Sequence, residues 1–254
     1  MKLARSLLIV GLLAAPAWGA AEVTADPLQS SMWDYFHLRM LEQQPYVFDA
    51  QVQVSVPAFA EDSAQVPIEV DARALTGKVQ KMLIWAELNP IPKILSLNVL
   101  QPDQVENFLA VRIRVEQATP IRAALLMDDG LWHVGSAWID AAGGGCTMPS
   151  TLQAKAGWEK NLGQVLGARF EVGSHSRLRL TIAHPMDNGL NSAIPEFYLN
   201  QAELRTASGE VLADLELFAA LSENPTLTLG LTQHQATELW LSDNNGNQFL
   251  AHLP

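Results

Sequence analysis

The sequence predicts an all-β protein made of two antiparallel β-sandwiches, which follow a short N-terminal helix. Two observations lead to this prediction. Apolar residues alternate with polar ones in many short runs, which is the pattern of strands that bury one face. Turn signals rich in glycine, proline, asparagine and aspartate separate these runs, at a spacing typical of antiparallel sandwiches rather than of α/β folds.

The first residues have the layout of a secretory signal peptide. Lys2 and Arg5 precede an apolar run over residues 7–15, and small residues follow it. We expect cleavage between Gly19 and Glu22. The apolar run is too short to span a bilayer, so the sequence predicts an exported, periplasmic protein without a membrane span. A cytoplasmic protein with an apolar N-terminal helix is the alternative.

Removal of this segment leaves an acidic protein. Without Lys2 and Arg5 the 16 lysines and arginines become 14, against 27 aspartates and glutamates, so the net charge is −13. Such a chain repels nucleic acid and anionic membranes, and its basic residues are scattered rather than clustered. The composition therefore argues against a nucleic-acid partner.

A helix is expected at the start of the mature chain. Asp26 followed by Pro27 is typical of a helix N-terminus. Apolar residues then recur at helical spacing: Leu28, Met32, Phe36 and Met40. The pattern predicts a helix over residues 27–43 that packs on the first domain.

Strand patterns fill most of the remaining chain. The first series of apolar runs covers residues 52–56, 68–70, 82–85, 94–99, 108–115, 123–127 and 137–139. The second series covers residues 178–182, 197–204, 211–217, 227–231, 238–241 and 248–251. Asn244-Asn245-Gly246 is a strong hairpin signal because these residues tolerate positive φ.

A connector separates the two series. Residues 143–167 are rich in glycine and small residues and have no sustained apolar period, although a short helix fits near residues 158–166. The sequence therefore predicts four segments: a signal peptide at residues 1–21, a sandwich with its N-terminal helix at 22–142, a linker that carries Cys146 at 143–167 and a second sandwich at 168–254.

Cys146 is the single cysteine of the chain, and it follows Gly143, Gly144 and Gly145. It cannot form an intramolecular disulfide in an oxidising compartment. Three consecutive glycines are costly to order, so we expect an exposed, reactive thiol on a flexible arm. The alternative is a buried core cysteine, since free cysteine is among the most buried residue types.

Other classes of site have little support. No phosphate-binding loop, dinucleotide fingerprint or nucleophile elbow occurs, so we expect no catalytic residues and no cofactor. The six histidines are dispersed and lack zinc-ligand spacing, so no metal is expected: His37, His133, His175, His184, His234 and His252. We expect His184 to be a structural or interface residue.

The first half resembles SoxY, the sulfur-carrying subunit of the bacterial thiosulfate-oxidising system. The matching motifs are Ser55-Val56-Pro57-Ala58-Phe59-Ala60-Glu61, Val66-Pro67-Ile68-Glu69-Val70, Glu87-Leu88-Asn89-Pro90-Ile91-Pro92, Arg112-Ile113-Arg114, Met127-Asp128-Asp129-Gly130 and Gly144-Gly145-Cys146. The second half resembles SoxZ at His184-Pro185-Met186-Asp187-Asn188-Gly189, Asn224-Pro225 and Leu241-Ser242-Asp243-Asn244-Asn245-Gly246. The fused chain looks like the SoxYZ-like carriers that are associated with quinoprotein dehydrogenases.

This resemblance implies two immunoglobulin-like sandwiches that dock within the chain. It also implies that Cys146 holds a sulfur-containing or other small intermediate covalently, on an arm formed by Gly143, Gly144 and Gly145. One feature departs from the family. In SoxY the cysteine lies at the very end of the chain, whereas here a whole second domain follows it, so the arm is tethered at both ends.

Two functions remain open from the sequence. The first is a periplasmic thiol carrier without a catalytic site, which presents its cargo to partner redox enzymes such as a quinoprotein dehydrogenase or a c-type cytochrome. Its only bound group would be the sulfur adduct on Cys146. The second is a non-covalent accessory, or docking protein, for a periplasmic dehydrogenase that depends on pyrroloquinoline quinone.

Overall fold

The computed structural model describes residues 25–153, 156–173, 175–191, 193–232 and 236–254. The predicted signal peptide lies outside these residues. Within the described ranges, no helix is both long enough and apolar enough to cross a membrane.

From residue 25 onward, the first half of the chain contains one α-helix and nine strands. Their bounds are α1 Trp33–Leu41, β1 Tyr46–Phe48, β2 Gln53–Ser55, β3 Phe59–Ala60, β4 Val66–Asp71, β5 Val79–Ala86, β6 Lys93–Val99, β7 Val105–Ile113, β8 Thr119–Met127 and β9 Trp132–Ala141.

In the described ranges of the second half, a short 3-10 turn comes first and seven strands follow it. Their bounds are Trp158–Asn161 for the turn, then β10 Val165–Val172, β11 His175–Ile182, β12 Leu199–Thr206, β13 Val211–Leu217, β14 Thr226–Leu231, β15 Ala236–Asp243 and β16 Gln248–His252. The prediction of an all-β chain with a short N-terminal helix is confirmed.

The strands form two sheets, and each half supplies strands to both of them. The larger sheet has the order β1-β9-β8-β5-β6-β13-β12-β15-β16, with β3 beside β9. The smaller sheet has the order β10-β11-β14-β7-β4-β2. Each half is therefore a sandwich, and the two sandwiches are joined edge to edge.

Two antiparallel strand pairs form this seam. In the larger sheet β6 pairs with β13, so that Leu97 lies opposite Leu215. In the smaller sheet β7 pairs with β14, so that Leu109 lies opposite Leu229. All four leucines are buried in one apolar core that runs through both halves. The two halves thus dock within the chain, through backbone ladders as well as apolar packing.

Alternation along the strands explains how the sheets face this core. On β4, Val66, Ile68 and Val70 are buried, whereas Pro67 and Glu69 between them are exposed. Successive side chains of a strand point to opposite faces, so this pattern buries one face only. Strand β10 begins at Val165, inside residues 143–167, which the sequence assigns to the linker. The predicted domain boundaries stay predictions.

Helix α1 is shorter than predicted, because it begins at Trp33 rather than near residue 27. The Asp26 carboxylate accepts hydrogen bonds from the backbone N–H groups of Leu28 and Ser30, at 3.0 and 2.8 Å. These bonds form a turn that precedes the helix. The helix then buries Trp33, Phe36 and Leu41 against the outer face of the larger sheet.

Arg122 on β8 attaches this N-terminal segment to the sheet. Its fully buried guanidinium donates to Asp26 at 2.6 and 2.7 Å, to Glu87 at 2.8 Å and to Ser136 at 2.6 Å. It also lies 5.1 Å from the Trp33 ring centroid. Removal of one member of a buried ionic cluster leaves the others desolvated and unpaired.

Arg122→Met should therefore lower the free energy of unfolding by about 3 kcal/mol or more, because Glu87 and Asp26 lose their counter-ion. Arg73→Met is the control, since Arg73 pairs with Asp71 in an ion pair whose side chains are 40% and 26% exposed. Its loss should be below about 1 kcal/mol. Urea unfolding measures both values, and equal losses would contradict the role assigned to Arg122.

Cleavage of the connector should leave the two halves together. A nick within about residues 148–165 breaks the covalent link but neither β6–β13 nor β7–β14, so both fragments should elute as one species on gel filtration. The same sample in urea provides the control for complete cleavage. Two fragments that elute separately without denaturant would show that the seam does not hold the halves.

Candidate functional site

Cys146 lies just after β9 and is buried, with 2% of its surface exposed. It is a free cysteine. The expectation of an exposed thiol is therefore wrong for this conformation. The reason is that the glycines before it allow the chain to pack closely against the first half.

Gly145 makes the closest of these contacts. Its N–H donates to the Val115 carbonyl at 3.2 Å. A Cβ atom at this position would lie 2.0 Å from the Ser63 carbonyl oxygen and 2.6 Å from that of Val115. Gly143 and Gly144 have φ values of +100° and +85°, which side chains other than glycine rarely adopt. The three glycines thus adopt a defined, closely packed conformation here. Their role as a flexible arm stays a prediction.

Both halves of the chain hold the backbone of Cys146. Its N–H donates to Glu116 Oε2 at 3.0 Å. Its carbonyl accepts a hydrogen bond from Asn188 Nδ2 at 2.7 Å. Glu116 belongs to the first half, and Asn188 belongs to the loop after β11 in the second half. The cysteine therefore lies at the seam.

Arg114 connects the cysteine segment, residues 143–153, to the loop after β11 that contains Asn188. Its side chain is buried, and its guanidinium donates to the Met148 carbonyl at 2.9 Å and to the Pro185 carbonyl at 3.2 Å. Asn89 Nδ2 in turn donates to the Arg114 carbonyl at 2.7 Å. Burial lowers the pKa of the Arg114 guanidinium, and nearby carboxylates oppose that change. One arginine thus fixes segments from both halves.

The chain that follows Cys146 is also anchored to the second half. The Glu223 carboxylate accepts hydrogen bonds from Ser150 Oγ at 3.1 Å, from the Thr151 N–H at 2.6 Å and from Thr151 Oγ1 at 2.9 Å. Gln153 Nε2 donates to Asp187 Oδ2 at 2.7 Å. The segment between Cys146 and Gln153 is therefore held along its length.

The surroundings of the thiol disfavour its ionised form. The pKa of Cys146 is raised to about 12, mainly by burial and also by the negative charge of Glu116, while the positive charge of Arg114 opposes both effects. The thiol is accordingly protonated at neutral pH. Because the thiolate is the nucleophilic form, Cys146 is unreactive while it is docked in this site.

His184 shapes the loop from the second half. Burial lowers the pKa of His184 to about 4, so the ring is neutral at pH 7. Its Nδ1 accepts a hydrogen bond from the Met186 N–H at 3.2 Å, and Asn224 Oδ1 accepts from its backbone N–H at 3.2 Å. Within the described ranges, no group of three histidine, cysteine, aspartate or glutamate side chains is arranged to hold a metal.

The motifs noted in the sequence converge on this site. Arg114, Asn89 and Asn188 all lie in motifs that carry the resemblance, and they come from three separate parts of the chain. Sequence reasoning missed Glu116 and Glu223 as residues that hold the cysteine segment. No local signal marks them, because each contact joins residues far apart in the chain.

Comparisons with known proteins show which families the two halves of the chain match. Residues 38–146 match the family described as sulfur oxidation protein SoxY, and residues 167–253 match sulphur oxidation protein SoxZ. Among solved structures, the chain is similar to the sulfur carrier protein SoxY from Chlorobium limicola f thiosulfatophilum, with 18% identity and a TM-score of 0.38 over 44% of this chain and 97% of that chain. The search of curated proteins found no match.

Native Cys146 should react with a bulky maleimide at least about a hundredfold more slowly than in urea, because labelling requires local opening. Gly145→Ala should accelerate native labelling, since its Cβ cannot fit beside Ser63. Gly209→Ala is the control for a general loss of stability: its φ of +83° strains an alanine backbone, but its Cβ would meet nothing within 4 Å. Equal native labelling rates in the two variants would contradict the assigned packing of Gly145.

Proposed function

We propose that this chain, which belongs to the SoxY and SoxZ families as one polypeptide with both domains in tandem, carries a small group covalently on Cys146. It is a carrier protein of the sulfur-oxidation families rather than an enzyme. The carried group is sulfur-containing or another small intermediate, and partner redox enzymes load and unload it. These partners include a quinoprotein dehydrogenase or a c-type cytochrome.

One observation supports this proposal above the others. The SoxY match ends at Cys146, and the backbone of that cysteine is held jointly by Glu116 from the first half and Asn188 from the second. Because the two contacts come from different halves, they fix the resting position of the cysteine at the seam between the domains. The contacts suit a segment that has a defined resting position and can leave it.

Carriage requires that the cysteine segment opens. In the docked position the thiol is buried and protonated, so it can neither attack nor be reached by an enzyme. Opening breaks the hydrogen bonds of the Cys146 backbone to Glu116 and Asn188 and restores water around the sulfur. An exposed cysteine has a pKa near 8.5, so a useful fraction of thiolate then forms at neutral pH, roughly a few per cent.

A periplasmic location is part of the proposal. It rests on the signal-peptide layout of residues 1–21. In an oxidising compartment Cys146 cannot be trapped in an intramolecular disulfide, because the chain has no second cysteine. The free thiol is then available to partner enzymes.

The burial of Cys146 favours one alternative, in which the chain is a non-covalent accessory of a periplasmic quinoprotein dehydrogenase. In that function the two sandwiches supply a docking surface, and the protonated thiol is a packing residue. The two functions differ in whether Cys146 ever carries an adduct.

The intact mass of protein purified from its native host should reveal sulfur-containing adducts that map to Cys146. Cys146→Ala, expressed at the same level, provides the control and should show one unmodified mass. Reduction should return the wild-type mass to that of the free thiol. An unmodified thiol in protein that binds a dehydrogenase tightly would support the accessory function and exclude covalent carriage.

A further inference from the structure

Two aromatic side chains stand half-exposed on the outer face of the larger sheet, near the start of the cysteine segment. Trp138 on β9 is 50% exposed, and Phe59 on β3 is 49% exposed. Phe59 lies opposite Asp140 in the parallel β3–β9 pair, and Trp138 precedes Asp140 by two residues. All three side chains therefore occupy neighbouring positions on one face of the sheet.

Helix α1 covers another part of this face. It packs over Trp85, Ala124 and Val134, which lie further along the sheet from the end of β9. A single exposed apolar residue needs no explanation, but two adjacent aromatic residues beside a functional segment are informative. Tryptophan in particular is enriched among the residues that contribute most to binding in protein interfaces.

The distance to the thiol suits an interaction surface. Strand β9 ends at Ala141, and Cys146 follows five residues later. An extended chain spans at most about 3.3–3.6 Å per residue, so the released cysteine stays within roughly 17 Å of the end of β9 and, on its other side, within a similar distance of the anchor at Thr151. A protein that rests on Trp138 and Phe59 can therefore have its active site within reach of the sulfur.

The charges around the aromatic pair indicate the kind of partner. Asp140 lies beside both rings, and Glu61 and Asp62 are exposed just after β3. The predicted mature chain carries a net charge of −13, from 14 basic and 27 acidic residues. A complementary surface would present an apolar recess surrounded by lysine and arginine side chains.

We propose that Phe59 and Trp138 form the docking surface for the enzyme that modifies Cys146, and that this enzyme presents a basic-rimmed apolar recess. The inference rests on the proposed carrier function. It adds a surface outside the cysteine segment that brings the partner to the thiol. The aromatic rings supply the binding energy, and the acidic residues around them set the orientation and the rate of encounter.

A photo-reactive phenylalanine analogue at position 138, in the native host, identifies the occupant. The same analogue at position 250 is the control, because Leu250 is 56% exposed on β16, the edge strand at the other end of the same sheet. The expected result is a protein cross-linked from position 138 only. That protein, once purified, must modify Cys146 of the wild-type chain.

Kinetics with the purified partner then test the surface itself. Trp138→Ala should raise the KM for modification of Cys146 about tenfold or more and leave kcat nearly unchanged, because binding is lost and chemistry is not. Leu250→Ala should leave both constants unchanged. Asp140→Lys should raise KM in the same direction and weaken its dependence on salt. The thermal unfolding midpoints of the three variants control for folding.

The possible outcomes separate this inference from the carrier function. Modification of Cys146 with an unchanged KM in Trp138→Ala overturns the docking surface and leaves carriage intact. Binding through Trp138 without modification of Cys146 overturns carriage, and with it the role given to this surface. Cross-links from position 138 to a second copy of the chain or to lipid would also overturn the proposal.

Discussion

The pairing of strands across the two halves is the interaction on which the rest of this molecule depends. Strands β6 and β13 join the larger sheet, and β7 and β14 join the smaller one. The cysteine site exists only because of this pairing, since its hydrogen bonds come from both halves. Fusion of the halves in one chain raises their local concentration to roughly the millimolar range, which keeps even a modest interface closed. Two backbone ladders, one of which shifts register after Leu229, and a shared apolar core make that interface extensive.

The site therefore combines a stable frame, which is the two joined sheets, with a cysteine segment that is attached to this frame by side-chain and backbone hydrogen bonds. The backbone of Cys146 makes two hydrogen bonds to the frame, and Arg114 adds a third at Met148. At about 1 kcal/mol each, these three bonds contribute on the order of 3 kcal/mol to the docked state, and the Gly145–Val115 bond and the burial of the sulfur add to that. The three bonds alone limit the open population to roughly one molecule in a hundred, and the other contacts lower it further. A protected resting thiol and a reactive exposed one are thus compatible in one protein.

The sequence predicted the fold class well and the local state of the cysteine poorly, for one physical reason. Alternating burial is a local property, so strand β4 could be predicted from Ile68 and Val70, which alternate with Glu69. The environment of Cys146 depends on Ser63, Glu116 and Asn188, which are distant in the chain. A run of glycines is equally compatible with mobility and with close packing, and only the partner atoms decide between them. The predicted helix start at Asp26 was wrong for a similar reason. Its carboxylate accepts hydrogen bonds within a turn and pairs with the distant Arg122, and the helix begins later, at Trp33.

The hydrogen bond from Asn188 to the Cys146 carbonyl has a thermodynamic consequence. Because the docked state includes a contact from the second half, any protein that binds the loop of Asn188 more tightly in one state shifts the exposure of the thiol. Linkage is reciprocal, so a group attached to the sulfur that favours the open state changes the affinity of that loop for its partner by the same factor. The loading state of Cys146 in the first half and the binding of a partner at the Asn188 loop in the second half are therefore coupled, with no movement of the sheets that join the two halves.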